Sequence, residues 1–164
     1  MRGARARLVG MSFEDLPADW PQRPVTDSEI TADLLDLIVG DRDRAVGALG
    51  ILLCGRDERL LQPVVVEAPD LQASAAERRQ GFDNLCAAFC HLSEPGADSG
   101  DSGLGMLVAL ARPGPPLATP GDLRWRDTAV QSCLDHGVTL LGVWLVTPEV
   151  IQPLPLRASQ RRSA

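Results

Sequence analysis

Three stretches of the chain repeat apolar residues at the three- and four-residue spacing of an amphipathic helix. They cover residues 29–39, 74–92 and 122–136. Threonine and aspartate commonly cap the start of a helix, so Thr26 or Asp27 can cap the first helix. The apolar stripes are formed by Ile30, Leu34, Leu37 and Ile38 in the first helix and by Phe82, Leu85, Cys86 and Phe89 in the second. The pattern therefore predicts three helices.

Local signals mark the ends of the second and third of these helices. Ser74 is followed three residues later by Glu77, which is the spacing of a capping box. Gly137 follows the last residue of the third helix, where glycine commonly ends a helix. These signals support the predicted boundaries independently of the apolar pattern.

Other segments are apolar at almost every position and are too short for helices, which is typical of buried strands. Residues 46–54 and 60–66 are separated by a five-residue turn at 55–59, so they predict a hairpin. The first of them has so few polar residues that we expect it to be central and covered on both faces. Further strands are predicted at 104–111, at 138–146 and, as a short edge strand, within 147–153.

The predicted order of elements is αββαβαββ, which indicates an α/β fold. We expect a single three-layer domain with a mixed sheet of four or five strands flanked by about three helices. The strand–helix–strand unit from 104 to 146 favours parallel neighbouring strands. The domain is predicted to span 28–154, with an extended or disordered arm over 1–27, whose true start is possibly Met11, and a basic flexible tail over 155–164.

Charge and composition exclude several kinds of chemistry. All 16 basic residues among the 164 are arginines, so no P-loop lysine, Schiff-base lysine or lysine base exists. The net charge of −6 argues against a broad phosphate-binding face, and nucleic acid is a disfavoured partner. No apolar run approaches the roughly 18 residues that span a membrane, and no signal peptide is recognisable. We therefore expect a cytoplasmic protein with reduced thiols and no membrane partner.

Cysteine and histidine residues offer one possible metal chemistry. Cys86 and Cys90 lie one helical turn apart, with His91 adjacent, and Cys133 and His136 lie at the end of another helix. Two such pairs have the ligand types of a tetrahedral zinc site. Buried free cysteine is the competing interpretation, because Cys86 falls on the apolar stripe of its helix. The sequence does not decide whether these residues approach one another.

A tryptophan between two arginines is the only hint of a nucleic-acid platform. Arg124 and Arg126 flank Trp125 at the start of the third helix. Such a trio can stack on bases. In an acidic domain we instead expect a solvated helix start with a tryptophan docked on the core.

A motif between the third strand and the third helix resembles that of a known family. Ala109-Leu-Ala111 is followed after seven residues by Thr119-Pro-Gly-Asp122, and Gly114 lies in the loop between them. Residues 137–146 form a Gly-Val-Thr-Leu-Leu-Gly-Val-Trp-Leu-Val strand. This arrangement resembles the JAB/MPN (JAMM) metalloproteases, particularly their RadC-like branch. That family carries His-x-His, seven residues, a serine, two residues and an aspartate, with a glutamate on an earlier element.

The departures from the family pattern imply a degenerate copy. Alanine stands at both histidine positions, 109 and 111, and no glutamate lies in residues 46–54. One carboxylate, Asp122, is too few ligands for zinc, so no cofactor is expected. Thr119 and Asp122 are also well suited to capping a helix.

We therefore predict a non-catalytic domain that binds a protein partner or itself. The expected contact surface is the groove vacated by the missing ligands, formed by Ala109, Ala111, Arg112, Gly114, Thr119 and Asp122. Arg112 could hold an anion or carboxylate there, or be a solvated loop residue. The alternatives are a metal-dependent hydrolase with a rearranged zinc site and, less favoured, a nucleic-acid accessory protein.

Overall fold

The computed structural model describes residues 13–67, 72–91 and 103–157. The helices are α1 (Thr31–Ile38), α2 (Asp41–Val46), α3 (Ala75–His91) and α4 (Pro120–Asp135). The strands are β1 (Ala48–Cys54), β2 (Leu60–Glu67), β3 (Gly105–Ala111), β4 (Thr139–Val146) and β5 (Ile151–Leu154). They form one sheet in the order β2-β1-β3-β4-β5. The predicted α/β fold with a mixed sheet is confirmed.

The strand directions follow the connections between the strands. β1 runs antiparallel to both β2 and β3, and β4 runs antiparallel to β5. β3 and β4 are joined through α4 and are parallel, as predicted for a strand–helix–strand unit. β3 lies at the centre of the sheet, so its end, where the loop to α4 begins, is surrounded by other elements.

Two hydrophobic cores lie on opposite faces of the sheet. One face packs against α3 and α4, and the other against α1 and the segment that precedes it. Successive residues of a strand point to opposite faces, so β1 and β3 contribute to both cores and every residue in them is buried. The prediction that β1 is central and covered on both faces is confirmed.

Capping boxes begin both long helices. The Ser74 N–H donates to Glu77 Oε2 (2.7 Å), and the Glu77 N–H donates to Ser74 Oγ (3.2 Å). The same reciprocal pair joins Thr119 and Asp122 at the start of α4. Gly137 follows α4 with a φ of 64°, the left-handed conformation that glycine tolerates. All five residues are recognisable from the sequence as suited to a helix end.

The region between residues 29 and 48 differs from the prediction. α1 begins at Thr31, after a turn over 28–30 in which the Asp27 carboxylate accepts from the Glu29 N–H (3.0 Å) and the Asp27 carbonyl from the Thr31 N–H (3.0 Å). The additional helix α2 occupies 41–46, and Gly47, with a φ of 97°, separates it from β1. Residue 46 therefore belongs to a helix. Six residues are too few to show a helical repeat, which is why the pattern did not reveal α2.

The segment before α1 packs on the domain instead of extending away from it. Leu16 and Val25 are buried, and Trp20 packs against the same core. The Val25 N–H donates to the carbonyl of Glu58 in the hairpin turn (2.9 Å). Packing against the domain thus begins before residue 28, at least from Leu16. Met11 and most of the predicted tail lie outside the described residues. No helix in the described ranges is long and apolar enough to cross a membrane.

Candidate functional site

The proline loop, residues 112–121, connects the central strand β3 to α4. Its sequence holds four prolines and, apart from Arg112, no charged residue. Proline fixes its own φ, and Gly114 supplies the one positive φ of the loop, 96°. The Gln152 side-chain amide, on β5, donates to the carbonyl of Pro116. These features fix the course of the loop over the end of the sheet.

The Arg112 side chain organises the proline loop from beneath. Arg112 is 8% exposed, and all three nitrogens of its guanidinium group donate hydrogen bonds. Nε lies 2.9 and 3.1 Å from the two carboxylate oxygens of Asp122, and Nη2 lies 2.8 Å from Oδ2. Nη1 donates to the carbonyls of Pro113 and Pro115 (3.1 Å each), and Nη2 to that of Leu117 (2.7 Å). The alternative of a solvated Arg112 is therefore wrong, and the carboxylate that it holds is internal.

Both oxygens of the Asp122 carboxylate accept hydrogen bonds from neighbouring groups. Oδ2 also accepts from the Thr119 N–H (2.8 Å), and the Asp122 N–H donates to Thr119 Oγ1 (3.2 Å). Burial acts to raise the pKa of Asp122, but the Arg112 and Thr119 hydrogen bonds and the Arg112 charge outweigh it, so the pKa lies below its ordinary value. A carboxylate held in this way is a structural anchor, with no oxygen directed at solvent.

Because the pKa of Asp122 is lowered on folding, Asp122 contributes to stability above its unfolded-state pKa of about 3.9 and ceases to do so as the pH falls through its folded-state pKa. We expect Asp122→Asn to lower the free energy of unfolding most near pH 7, with the difference from wild type shrinking below about pH 3.9. Urea unfolding between pH 7 and pH 3 measures it. Asp41→Asn, an exposed carboxylate, is the control. A difference that is independent of pH would contradict the ion-pair explanation.

Ala109 and Ala111 do not line an open groove. Both are fully buried on the face of β3 that packs against α1. A Cβ placed on Gly50, the neighbour of Ala109 across the sheet, would lie 2.9 Å from Val39 Cγ2 and 3.4 Å from Ala109 Cβ. Val39 therefore fills the space over Gly50, next to Ala109. The predicted vacated groove is corrected: Ala109 is buried in the core, and Ala111, Arg112 and Asp122 border only a small, partly enclosed pocket beside Trp125. Gly114 is exposed and Thr119 half-buried.

The outer surface of the proline loop is apolar. Leu117 is 74% exposed although its carbonyl is bound by Arg112. Pro113, Pro115, Ala118 and Pro120 are exposed around it. The contact surface expected from the sequence includes Arg112, Gly114 and Thr119 of this loop, but Leu117 was not singled out. The available signal was a leucine without charged neighbours in a chain with 23% charged residues.

The cysteine residues do approach one another, but as thiols within the core. Cys86 and Cys133 are buried in the core between α3 and α4, and Cys133 Sγ lies 4.0 Å from Met106 Sδ. Interaction with the Cys86 thiol, together with burial, raises the pKa of Cys133 well above its ordinary value. Cys90 Sγ lies 3.7 Å from the carbonyl of His136, which caps the end of α4. Within 13–67, 72–91 and 103–157 no three histidine, cysteine or acidic residues form a group able to hold a metal.

The trio around Trp125 is not a stacking platform. Trp125 is buried, and its ring lies edge-to-face with Phe82 at 6.0 Å between centroids. Arg126 is also buried and binds the Asp127 carboxylate (2.8 Å) and the carbonyl of Pro155 (2.7 Å). Only Arg124 is exposed. The expectation of a docked tryptophan at a helix start agrees with this geometry.

None of the protein-family models, curated proteins or solved structures compared with this chain matches it. The interpretation of the site therefore rests on the geometry of the proline loop and its anchor, Arg112.

Proposed function

We propose that this chain is a non-catalytic, JAB/MPN-like domain of the RadC type that acts as a protein-interaction module in the cytosol. The observation that carries the proposal is the combination in the proline loop of a fixed backbone and an exposed apolar surface. Arg112 binds three loop carbonyls from inside, while the Leu117 side chain is 74% exposed on the outside.

A loop of this kind suits protein recognition for a thermodynamic reason. A flexible loop loses conformational entropy when a partner orders it, whereas a loop that is already fixed loses much less. Binding residues are commonly carried on loops that a rigid scaffold positions. A contiguous exposed apolar patch is the type of surface that partners cover. The proline loop combines these three properties.

The surroundings of Asp122 and Ala109, which align with ligand positions of the family motif, support the non-catalytic part of the proposal. Asp122, the one carboxylate that matches the family motif, is neutralised by Arg112 and capped by Thr119. Ala109 is completely buried in the core that also holds Val39, so no ligand or substrate reaches that position from solvent. A hydrolase would need a metal with an open coordination site and an activated water.

We expect Leu117→Arg to reduce partner binding by about tenfold or more while leaving the fold intact, because an exposed side chain contributes little to folding and a buried interface charge is costly. Wild-type and variant protein, immobilised without chelator treatment, would be used to capture partners from cells of the source organism. Binding of a captured partner would then be measured with purified components.

Leu134→Arg is the matched control. Leu134 is also exposed, but it lies near the far end of α4, about 21 Å along the helix from the loop. Equal loss of binding in both variants, or none in Leu117→Arg, would place the interface elsewhere. About one zinc, iron or manganese per chain in the untreated protein would contradict the non-catalytic proposal. Sedimentation of the two variants measures whether the chain associates with itself. It therefore shows whether the partner is a foreign protein or a second copy of the chain.

A further inference from the structure

A second surface, between α3 and α4, is lined by several arginines although the chain as a whole is acidic. It is a groove of about 350 Å³ lined by Ala75, Arg78, Arg79, Arg124, Asp127, Thr128 and Gln131. Arginines enter it from both helices, and Asp127 is the one acidic residue in the lining. The net charge of the whole chain is −6, so this concentration of arginines runs against the overall composition.

Two of the lining charged groups are already neutralised. Arg79 binds the Asp83 carboxylate (2.8 and 2.9 Å) and also Asp135. Asp127 is bound by Arg126 at 2.8 Å and approached by Arg157 at 3.5 Å. These pairs satisfy one another and also connect α3 to α4. The unbalanced positive charge of the groove therefore comes from its other two arginines, Arg78 and Arg124.

Arg78 and Arg124 have no carboxylate partner among the residues that the structure describes. Arg78 is 9% exposed, donates through Nη1 to the carbonyl of Ala73, and lies with Cζ 6.0 Å from the Trp125 ring centroid. Its Nε is buried without a hydrogen-bond acceptor among the residues that the structure describes. Buried polar groups are almost always satisfied, so the Arg78 guanidinium is only partly compensated by these residues and retains capacity for a further acceptor.

We propose that the groove between α3 and α4 binds a phosphomonoester dianion, with Arg78 and Arg124 as its principal ligands. Two uncompensated guanidinium groups match the charge of a phosphomonoester, which is about −1.5 to −2 at pH 7. Arginine presents forked donors that suit phosphate oxygens, and one arginine approaches from each helix. The Thr128 hydroxyl, also in the lining, retains acceptor and donor capacity beside its bond to the Arg124 carbonyl (2.9 Å).

The groove is formed before any ligand arrives. The edge-to-face contact between Phe82 and Trp125 and the bridge from Arg79 to Asp135 hold the two helices together beneath it. The ligand therefore meets arginines whose helices are already positioned. The inference uses α3 and α4 and not the proline loop, so it goes beyond the proposed function and does not depend on it.

The test is a titration of the full-length protein with phenyl phosphate at constant ionic strength, followed by NMR of the arginine Nε–H groups and the Trp125 indole. We expect saturable shifts of Arg78, Arg124 and the nearby Trp125. Arg124→Gln is expected to weaken binding by about tenfold or more, because it removes an exposed, unpaired cation that contributes to no internal contact. Arg124→Lys is expected to recover only part of the loss, because it keeps the charge without the fork.

Arg42→Gln is the matched control, since Arg42 is an exposed arginine on α2, and its removal changes the net charge equally. Unchanged binding in Arg42→Gln and weakened binding in Arg124→Gln support the site. Equal weakening in both, or no saturable binding in the wild type, overturns it. Leu117→Arg is expected to bind phenyl phosphate normally, which separates this test from that of the proline loop.

Three peptides distinguish the source of the phosphate. They carry phosphoserine, serine or glutamate at one position in an otherwise identical sequence. We expect phenyl phosphate and the phosphoserine peptide to bind, and the serine and glutamate peptides not to bind. If the phosphoserine peptide binds more tightly than phenyl phosphate, the natural ligand is a phosphorylated protein segment. If it does not, the natural ligand is a small phosphate ester. Equal binding of the glutamate peptide overturns the assignment to phosphate, because a carboxylate would then suffice.

Discussion

Arg112→Met is expected to lower the free energy of unfolding by about 3–5 kcal/mol, the usual result of removing one partner from a buried ion pair. The loss would leave the Asp122 carboxylate buried without its counter-charge. It would also leave the carbonyls of Pro113, Pro115 and Leu117 without their donor. For a chain of this size the effect corresponds to a fall in Tm of about 6–20 °C. Urea and thermal unfolding at pH 7 measure both quantities.

Two further variants separate the ion pair from the loop. Arg112→Met combined with Asp122→Leu removes both charges and is expected to recover part of the stability, because paired apolar groups replace a buried ion pair at little cost. Recovery would be incomplete, since the three loop carbonyls still lack a donor. Arg42→Met, at an exposed ion pair, is expected to change stability by less than about 0.5 kcal/mol. A loss below about 1 kcal/mol in Arg112→Met would show that the pair does not anchor the loop.

Ala109→His, which restores one histidine of the family motif, is expected to destabilise the protein by about 2–6 kcal/mol. Overpacking a filled core costs about 1–3 kcal/mol, and burying an unsatisfied imidazole adds a similar amount. Ala109 is completely buried, and Val39 fills the space over its neighbour Gly50. We expect this variant, alone or with Ala111→His, not to bind zinc, because the space for the ligand is filled. Chemical unfolding and metal analysis of the purified variants measure the two effects.

Ala118→His is the control for this substitution, because Ala118 is exposed on the proline loop and its replacement is expected to be nearly neutral. Val39→Ala in the Ala109→His background is expected to recover part of the stability by making room for the ring. Tight zinc binding by the double histidine variant with unchanged stability would contradict the packing of Val39 described above.

Several features of the fold were predictable because they depend on residues close together in the chain. The capping boxes at Ser74 and Thr119 each involve a residue three positions away. The burial of β1 and β3 follows from their uninterrupted apolar sequences. α2 was missed because six residues do not complete two helical turns, and its polar sequence carries no apolar stripe.

The candidate site was less predictable, because its contacts depend on how separate elements pack. Arg112 looked equally suited to an external anion or to solvent, but the turn into α4 returns Asp122 to its guanidinium ten residues later. Ala109 looked like an open position, but α1 and Val39, from another part of the chain, cover that face of the sheet.

The sequence by itself determined the α/β order, the central buried strands, the helix caps and the absence of the family's histidine ligands. These are matters of residue type and of spacing within one or two turns. Only the tertiary structure decided which charges are internal and which face solvent. It buried Arg112 with Asp122 and brought into one groove Arg78 and Arg124, which have no carboxylate partner in the described part of the chain. The reason is physical: the energy of a charge depends on its burial and its partners, and both are set by packing between segments far apart in the chain.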